Sequence, residues 1–254
     1  MQHSFLQRLG LLTAAVGLLG FTDASAQTPF TAGNYVVARV GDGTTTLGSG
    51  AAATALVEFT PSGTLVRTLA LPIADAGTTL ALTETGTSTS DASLTRSADG
   101  RYLLLTGYNA APGVPTVASG TQASATNRLI GRIAADGTLN TSTRITDAFN
   151  ATNIRSAASA NGSSFYAVGA NSGVVYVPFG NAAASVALTG ATGSATVPTN
   201  LRYATIVGGN LYVGSGSGTF VGVNQVGAGL PTAATQPVVL LTGFASPAGT
   251  AQTS

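Results

Sequence analysis

Two asparagine–arginine pairs are the side chains of this sequence whose types and spacing best suit ligand binding. Asn153-Ile154-Arg155 and Asn200-Leu201-Arg202 repeat one pattern at the start of successive repeat units. In one interpretation Asn153, Arg155, Asn200 and Arg202 line a rim or central channel and bind an anionic or sugar ligand, since amide and guanidinium groups suit both. In the other, each Asn caps a turn and each Arg bonds neighbouring backbone carbonyls. The sequence leaves both open.

Counting residues excludes most catalytic chemistry. The chain has one histidine, His3, no cysteine and no lysine. His3 lies in an N-terminal segment that we expect to be removed. A Ser-His-Asp or Cys-His nucleophile therefore lacks its base, and Ser-Lys dyads and Schiff bases lack their lysine. Zinc, copper or iron sites built from His and Cys are excluded too, so we predict no catalytic residue, no metal ligand and no cofactor.

Carboxylates are the remaining catalytic groups. An acid and base pair of the kind that glycosidases use could come from among them. The candidates for such a pair are Glu58, Asp75, Glu84, Asp91, Asp99, Asp136 and Asp147. Asp99 and Asp136 each precede a glycine in a hairpin turn, which predicts a structural role for these two. No Asp-x-Asp pattern typical of calcium loops occurs. A carbohydrate-active hydrolase is thus an alternative function.

A glycine-rich segment, Gly214-Ser215-Gly216-Ser217-Gly218, has the composition of a phosphate-binding loop. It lacks the lysine that follows such loops and a helix that would direct backbone amides at a phosphate. We therefore interpret it as a flexible turn between strands.

The N-terminus predicts export. Arg8 precedes an apolar run from Leu9 to Phe21, and Ala24-Ser25-Ala26 is the small-x-small pattern of a signal-peptidase site. The run is shorter than the roughly 20 residues of a membrane-spanning helix. We expect residues 1–26 to be a signal peptide cleaved after Ala26, which places the protein outside the cell or on its surface.

The mature chain is nearly neutral and sparsely charged. Ten arginines and nine carboxylates occur in the whole chain, and Arg8 and Asp23 leave with the signal peptide. No basic patch of the kind that nucleic-acid binding needs is present. No later apolar stretch could span a membrane, so we predict no membrane insertion after cleavage.

Short strands separated by Gly, Asn and Asp turns predict an all-β fold. Ala55–Phe59 and Thr64–Leu71 flank Pro61-Ser62-Gly63, which predicts a hairpin. Leu129–Ile133 and Thr138–Ile145 flank Ala135-Asp136-Gly137 in the same way. Two Thr/Ser/Ala/Gly-rich stretches, at 76–90 and 110–126, are predicted to be extended loops.

A second unit recurs in the chain. Ser97-Ala98-Asp99-Gly100 leads into an aromatic-containing strand, as do Ser159-Ala160-Asn161-Gly162 and, more loosely, Val207-Gly208-Gly209-Asn210. We interpret Tyr35, Tyr102, Tyr166 and Tyr212, at strand spacing, as packing residues. The copies divide the chain into four units with bounds 30–72, 73–146, 147–190 and 191–243. This period predicts a β-propeller-like fold of about four blade units.

The segment Ser97-Ala98-Asp99-Gly100-Arg101-Tyr102-Leu103 resembles the turn and strand of lactonase-like, TolB-like and WD-repeat propellers. The stretch from Phe30 to Pro231 is similar to a group of uncharacterised secreted bacterial propeller-like proteins. Segments that carry this similarity are Asn34 to Gly43, Leu103 to Tyr108, Asn153 to Ser159, and Asn200 to Arg202. The resemblance implies a secreted propeller that is often part of a larger surface protein, and it carries no established activity.

These observations predict one repeat domain over residues 27–254, an incomplete propeller truncated at its C-terminus. The function expected is an extracytoplasmic binding or scaffold module whose partner is a carbohydrate or another surface protein. The alternatives are the hydrolase that uses Asp and Glu, and a purely structural or adhesive envelope protein.

Overall fold

A computed structural model of the chain describes residues 28–190 and 197–243. The predicted signal peptide lies outside the described residues. The strands are β1 (Tyr35–Val40), β2 (Ala51–Ala52), β3 (Thr54–Phe59), β4 (Leu65–Ala70), β5 (Glu84–Thr85), β6 (Thr95–Arg96), β7 (Tyr102–Tyr108), β8 (Arg128–Ala134), β9 (Leu139–Ile145), β10 (Ile154–Ala158), β11 (Ser164–Gly169), β12 (Val174–Pro178), β13 (Val186–Ala187), β14 (Leu201–Val207), β15 (Asn210–Ser215), β16 (Gly222–Val226) and β17 (Val238–Leu240). A 3-10 turn covers Gly218–Phe220. The predicted all-β fold is confirmed.

The strands form five antiparallel sheets. Sheet I has the order β1-β3-β4, and sheets II, III and IV have the orders β6-β7-β8-β9, β10-β11-β12-β13 and β14-β15-β16-β17. A short ribbon pairs β2 with β5. Each of the four predicted repeat units thus contains one main sheet, and in sheets II to IV each strand pairs with the next along the chain. The propeller arrangement of these sheets stays a prediction.

Local turn chemistry determines the hairpins. The β3–β4 hairpin turns at Pro61-Ser62-Gly63, and the β8–β9 hairpin turns at Ala135-Asp136-Gly137, as predicted. Gly63 and Gly137 have φ values of 85° and 86°, a left-handed conformation that costs glycine little. The two predicted hairpins are therefore confirmed.

The recurring turn has the same place in three sheets, because it joins the first strand of sheets II, III and IV to the second. Gly100, Gly162 and Gly209 have φ values of 77°, 78° and 77°. The turn of sheet II also touches the turn of sheet III, since the backbone N–H of Ala98 donates to the carbonyl of Ser159 over 2.9 Å. Corresponding turns of these two sheets thus lie at the same end.

Three hydrophobic clusters lie between successive sheets. Successive side chains of one strand contribute to different clusters. In β7, Leu104 packs towards sheet III while Leu105 packs towards sheet I. In β11 Phe165 belongs to the cluster with sheet II and Val168 to the cluster with sheet IV. Side chains of a strand point alternately to the two faces, so a sheet covered on both faces needs a continuous apolar run. The strands β7 and β11 have such continuous apolar runs, and both of their faces are covered.

The terminal sheets each leave apolar side chains uncovered. In sheet I Tyr35 is 61% exposed, and in sheet IV Tyr203 and Val239 are 45% and 60% exposed. Of the tyrosines predicted to pack, Tyr166 is buried against the ring of Tyr176, with the ring centroids 5.6 Å apart. The prediction is wrong for Tyr35, because no sheet among the described residues covers that face.

The two predicted loops differ from expectation. Residues 80–85 are buried, and Thr83 exchanges backbone hydrogen bonds with Tyr108 at the end of β7. The loop prediction is therefore wrong for this part of 76–90. Residues 110–126 contain no strand, as expected, but Val117 and Ala123 are completely buried.

Candidate functional site

The structure joins two of the four predicted site residues directly. Asn153 stands immediately before β10 and Asn200 immediately before β14, while Arg155 and Arg202 lie within these strands. Nη1 of Arg155 donates to Oδ1 of Asn200 over 2.7 Å and to the carbonyl of Leu201 over 3.2 Å. Arg155 is 7% exposed, so this contact crosses the interface between sheets III and IV in a nearly buried position.

Asn153 contacts the segment that leads into sheet II. Its Nδ2 donates to Oδ2 of Asp91 over 2.7 Å, and the hydroxyl of Tyr108 donates to the same oxygen over 3.1 Å. Asp91 lies shortly before β6, the first strand of sheet II. We call Asp91, Tyr108, Asn153, Arg155, Asn200 and Arg202 the rim cluster. It combines side chains from sheets II, III and IV.

The packing of the first strands brings these side chains to one end. The hydroxyl of Thr95 in β6 donates to the carbonyl of Ala157 in β10 over 2.6 Å. The backbone N–H of Ala204 in β14 donates to Oγ of Ser156 in β10 over 3.3 Å. Because β6, β10 and β14 lie side by side, residues that precede or open each of them meet at the same end.

Two residues at the rim have left-handed backbone conformations, with φ of 57° at Ala92 and 51° at Asn200. Asparagine tolerates this conformation, but alanine adopts it at a cost of the order of 1 kcal/mol or more. At Asn200 the surrounding structure enforces it, since its N–H donates to the carbonyl of Ala170 and its carbonyl accepts from Gly216.

Arg128 contacts the ring of Tyr108 and the backbone next to Asn153. It is completely buried in β8, and its guanidinium lies 5.1 Å from the centroid of the Tyr108 ring. Its acceptors are the hydroxyl and carbonyl of Thr121 and the carbonyls of Ala118, Thr126 and Thr152. Burial lowers the pKa of Arg128. Because Thr152 precedes Asn153, Arg128 fixes both Tyr108 and the backbone that presents Asn153.

A second carboxyl group near the rim cluster is that of Glu84 in β5, on which the charge of Asp91 acts. Glu84 is completely buried, and neither of its carboxyl oxygens has a hydrogen-bond partner among the described residues. Burial, and then the charge of Asp91, raise the pKa of Glu84 well above 4.5, so the fold favours its protonated form. A Cβ on Gly107 would lie 3.1 Å from Oε1 of Glu84 and 2.6 Å from the carbonyl of Thr83, so only glycine fits beside this carboxyl group.

The two arginines of the rim cluster are electrostatically unbalanced. Burial, and then the charge of Arg202, lower the pKa of Arg155. Within the described ranges no carboxylate lies within ion-pair distance of either arginine, whereas Arg67 pairs with Glu58 and Arg101 pairs with Asp99. The cluster therefore carries two cations near one another, and the charge of Asp91 offsets part of the effect of Arg202 on the pKa of Arg155.

The other carboxylates have structural partners. Burial alone would raise the pKa of Glu58, but hydrogen bonds from Asn34, Thr31 and Arg67 lower it. Hydrogen bonds from Ser97 and Arg101 lower the pKa of Asp99 to about 2.

The turn roles predicted for Asp99 and Asp136 are confirmed. Oδ1 of Asp99 accepts from the N–H of Arg101 over 3.1 Å, and Oδ1 of Asp136 accepts from the N–H of Thr138 over 2.8 Å. In each turn the carboxylate thus bonds the backbone two residues further on, as is typical of Asx turns.

Sequence reasoning named Glu84 and Asp91 as carboxylates without linking them to the asparagine–arginine pairs, and it missed Tyr108 as a site residue. One signal could have found Asp91. It lies shortly before the first strand of sheet II, whereas Asn153 and Asn200 stand immediately before the first strands of sheets III and IV.

Comparison with known proteins adds no assignment, because no protein-family model and no curated protein matches the chain. In the two described ranges no group of three or more His, Cys, Asp or Glu side chains is placed to hold a metal ion. The same residues include no helix with the length and apolar character needed to cross a membrane.

Proposed function

We propose that this protein is an extracytoplasmic β-propeller module of a secreted or surface protein, and that it binds a polar ligand of carbohydrate type at the rim cluster. The observation that carries the proposal is a pair of hydrogen bonds of 2.7 Å, from Asn153 to Asp91 and from Arg155 to Asn200, at the end where the first strands of sheets II, III and IV begin. Amide, carboxylate and guanidinium groups together match the hydroxyl pattern of a sugar.

The order of the sheets supports the propeller. Sheets II, III and IV each connect four strands sequentially, repeat one turn between their first two strands, and pack face to face through the clusters described above. The first strands lie next to one another, as the inner strands of propeller blades do. The uncovered outer faces of sheets I and IV favour an open, incomplete propeller over a closed ring.

The burial of Glu84 favours binding over hydrolysis. A glycosidase needs one carboxyl group to protonate the leaving oxygen and a second to act as base or nucleophile. Glu84 is completely buried and packed against Gly107, so its carboxyl group cannot reach a substrate. Asp91 alone does not supply both roles.

Export is the second part of the proposal and rests on Ala24-Ser25-Ala26. Mass spectrometry of the protein recovered from the medium or the cell envelope is expected to show an N-terminus at Gln27. A cytoplasmic protein that retains Met1 would contradict it.

The binding function is tested by a glycan array and a panel of hydrolase substrates, both applied to the protein produced from the full chain. We expect retention of at least one glycan without release of product. Asp91→Asn should weaken that retention about tenfold, the equivalent of one charge-assisted hydrogen bond. Asp136→Asn is the matched control, because Asp136 lies in an exposed hairpin turn, and it should bind as the wild type does.

Two other results would replace the proposal. Turnover of a glycoside that Asp91→Asn abolishes would establish the hydrolase. No retention and no turnover would leave a purely structural envelope protein.

A further inference from the structure

Sheet I has no counterpart of the first strand of the other three main sheets. Its hairpin β3–β4 corresponds to β8–β9 of sheet II, and β1 corresponds to β7, since Val36 and Ala38 pack into the same hydrophobic cluster as Leu103 and Leu105. In sheets II, III and IV a further strand (β6, β10 or β14) pairs with the strand equivalent to β1. Among the described residues, no strand other than β3 pairs with β1.

Backbone groups of β1 are therefore unpaired along one edge. The N–H of Gly41 donates to the carbonyl of Ala53 over 2.7 Å, and the β1–β3 register continues from this pair, so the odd-numbered residues of β1 bond β3. Val36, Ala38 and Val40 direct their N–H and C=O groups the other way, and no residue of the described ranges bonds these groups. All three residues are only half-buried. An open edge of this kind accepts an extended chain as an additional strand.

A cleft of about 420 Å³ lies at the start of β1. It separates the segment that leads into β1 from the turn between β6 and β7 of sheet II. Asn34 and Val36 line one side, and Arg96, Tyr102 and Ile133 line the other. The described lining contains apolar, aromatic and arginine side chains but no Asp or Glu, so the cleft suits a chain that carries negative charge.

Arg96, the last residue of β6, is the arginine of this cleft that is free to bind a carboxylate. It is exposed, and its Nε donates to the carbonyl of Gly100 over 3.0 Å. Neither of its Nη atoms bonds a described residue, and within those residues no carboxylate lies within ion-pair distance of it. Arg101, the other arginine of the cleft, already pairs with Asp99 over 2.6 Å.

We propose that the free edge of β1 binds an extended segment of a partner protein, antiparallel to β1, whose acidic side chain near its C-terminal end pairs with Arg96. The orientation follows from β6, β10 and β14, each of which is antiparallel to the next strand of its sheet. The C-terminal end of an antiparallel segment lies beside the start of β1, where the cleft is.

Charge favours a partner protein over the end of this chain as the source of the segment. Residues 244–254 contain no Asp or Glu that could pair with Arg96. The proposed interaction uses no residue of the rim cluster, so it is separate from the carbohydrate ligand proposed above and can fail without it.

The test measures the affinity of synthetic peptides for the protein produced from the full chain, by isothermal titration calorimetry. The probe is acetyl-Ser-Val-Thr-Val-Thr-Val-Glu-Glu-amide, in which apolar and polar residues alternate as in a strand and the glutamates are the only charges. The same residues in reverse order, with both glutamates at the N-terminal end, form the matched control peptide. We expect the probe to bind at least about tenfold more tightly than this control, the equivalent of one charge-assisted hydrogen bond.

Two N-methylated probes test the pairing of the backbone. In one the nitrogens of the valines are methylated, and in the other those of the threonines, so each probe loses the donors along one edge of the peptide. One of them should lose at least about tenfold in affinity and the other should retain it, because only one edge of the peptide faces β1.

Three variants of the protein locate the interaction. Arg96→Gln should weaken the probe about tenfold and remove the preference over the reversed peptide. Ala38→Pro removes an N–H of the free edge and no hydrogen bond to β3, so it should abolish binding while the far-ultraviolet circular dichroism stays that of the wild type. Arg39→Gln is the matched control, because Arg39 is exposed on the opposite face of β1 from Ala38, and it should bind as the wild type does.

Every contrary outcome has a defined meaning. Equal affinities for the probe and the reversed peptide, or equal effects of the two methylation patterns, would refute antiparallel pairing at this edge. A loss in Arg39→Gln equal to that in Arg96→Gln would show a general charge effect and overturn the proposal. The absence of peptide binding would also overturn it, and a concentration-dependent dimer that Ala38→Pro dissociates, measured by light scattering, would then assign the edge to a second copy of the chain.

Discussion

Replacing Glu84 by glutamine is expected to remove a pH-dependent loss of stability from the protein. The folded protein raises the pKa of Glu84 well above 4.5, through burial first and the charge of Asp91 second. Above pH 4.5 the unfolded chain therefore releases a proton that the folded chain keeps. Folding stability from this group is greatest below pH 4.5 and falls as pH rises towards the folded pKa.

The magnitude follows from proton linkage. One proton bound by the folded state alone lowers the free energy of unfolding by about 1.4 kcal/mol for each pH unit. Between pH 4.5 and 6.5 the wild type should thus lose up to about 2.7 kcal/mol relative to Glu84→Gln. A domain of this size is stable by only about 5 to 15 kcal/mol, so the effect is large enough to measure.

Glu58 provides the matched control, because it is a glutamate in β3 that is completely buried, as Glu84 is in β5. Its hydrogen bonds overcome the effect of burial and lower its pKa below 4.5. Stability from Glu58 is therefore present above pH 4.5 and is lost as pH falls below that value. Glu58→Gln should differ from the wild type by a constant amount between pH 5.5 and 7.5, where Glu84→Gln should not.

The assay is urea denaturation followed by far-ultraviolet circular dichroism at pH 3.5, 4.5, 5.5, 6.5 and 7.5. The wild type, Glu84→Gln, Glu58→Gln and Asp91→Asn are compared. Asp91→Asn should narrow the pH range over which the wild type loses stability, because it removes one of the two causes that raise the pKa of Glu84. A Glu84→Gln variant with the same pH slope as the wild type would refute the reasoning.

Three further predictions use the same urea assay at pH 7. Arg128→Met should destabilise the fold by more than about 3 kcal/mol, because several buried carbonyls lose a charged donor, and a smaller effect would contradict the supporting role of Arg128. Leu105→Ala should cost about 2 to 5 kcal/mol, whereas Leu65→Ala, at a position that is 56% exposed, should cost well under 1 kcal/mol. Gly107→Ala should lower the free energy of unfolding by about 1 to 3 kcal/mol, since its Cβ would lie 2.6 Å from the carbonyl of Thr83. An unchanged free energy of unfolding would contradict the tight packing of Gly107 against Thr83.

The hairpins could be predicted because their causes are local. Proline sets one backbone angle, and glycine accepts the left-handed conformation that the turn needs. Gly63, Gly100, Gly137 and Gly162 all have φ between 77° and 86°, as their turn contexts predict. Neighbouring residues decide such turns, so no knowledge of the remaining chain is necessary.

The segment from Leu80 to Thr85 could not be predicted in the same way. Its composition resembles a loop, yet Leu80 and Leu82 are buried in the cluster between sheets I and II, and Thr83 pairs with Tyr108. That pairing joins residues 25 positions apart. Short strands with little β-propensity form only when a distant strand offers an edge, and propensity does not record this.

The rim cluster shows most clearly which features the sequence determines and which depend on the tertiary structure. The sequence by itself determined that one asparagine–arginine pattern occurs twice, and that the chain has a single histidine, His3, since both depend on residue types and order. Only the tertiary structure decided that Asp91 contacts Asn153 and that Arg155 bonds Asn200. The physical reason is that sheet-to-sheet packing sets these contacts. It depends on apolar side chains throughout β7, β10, β11 and β14, rather than on the polar residues that it brings together.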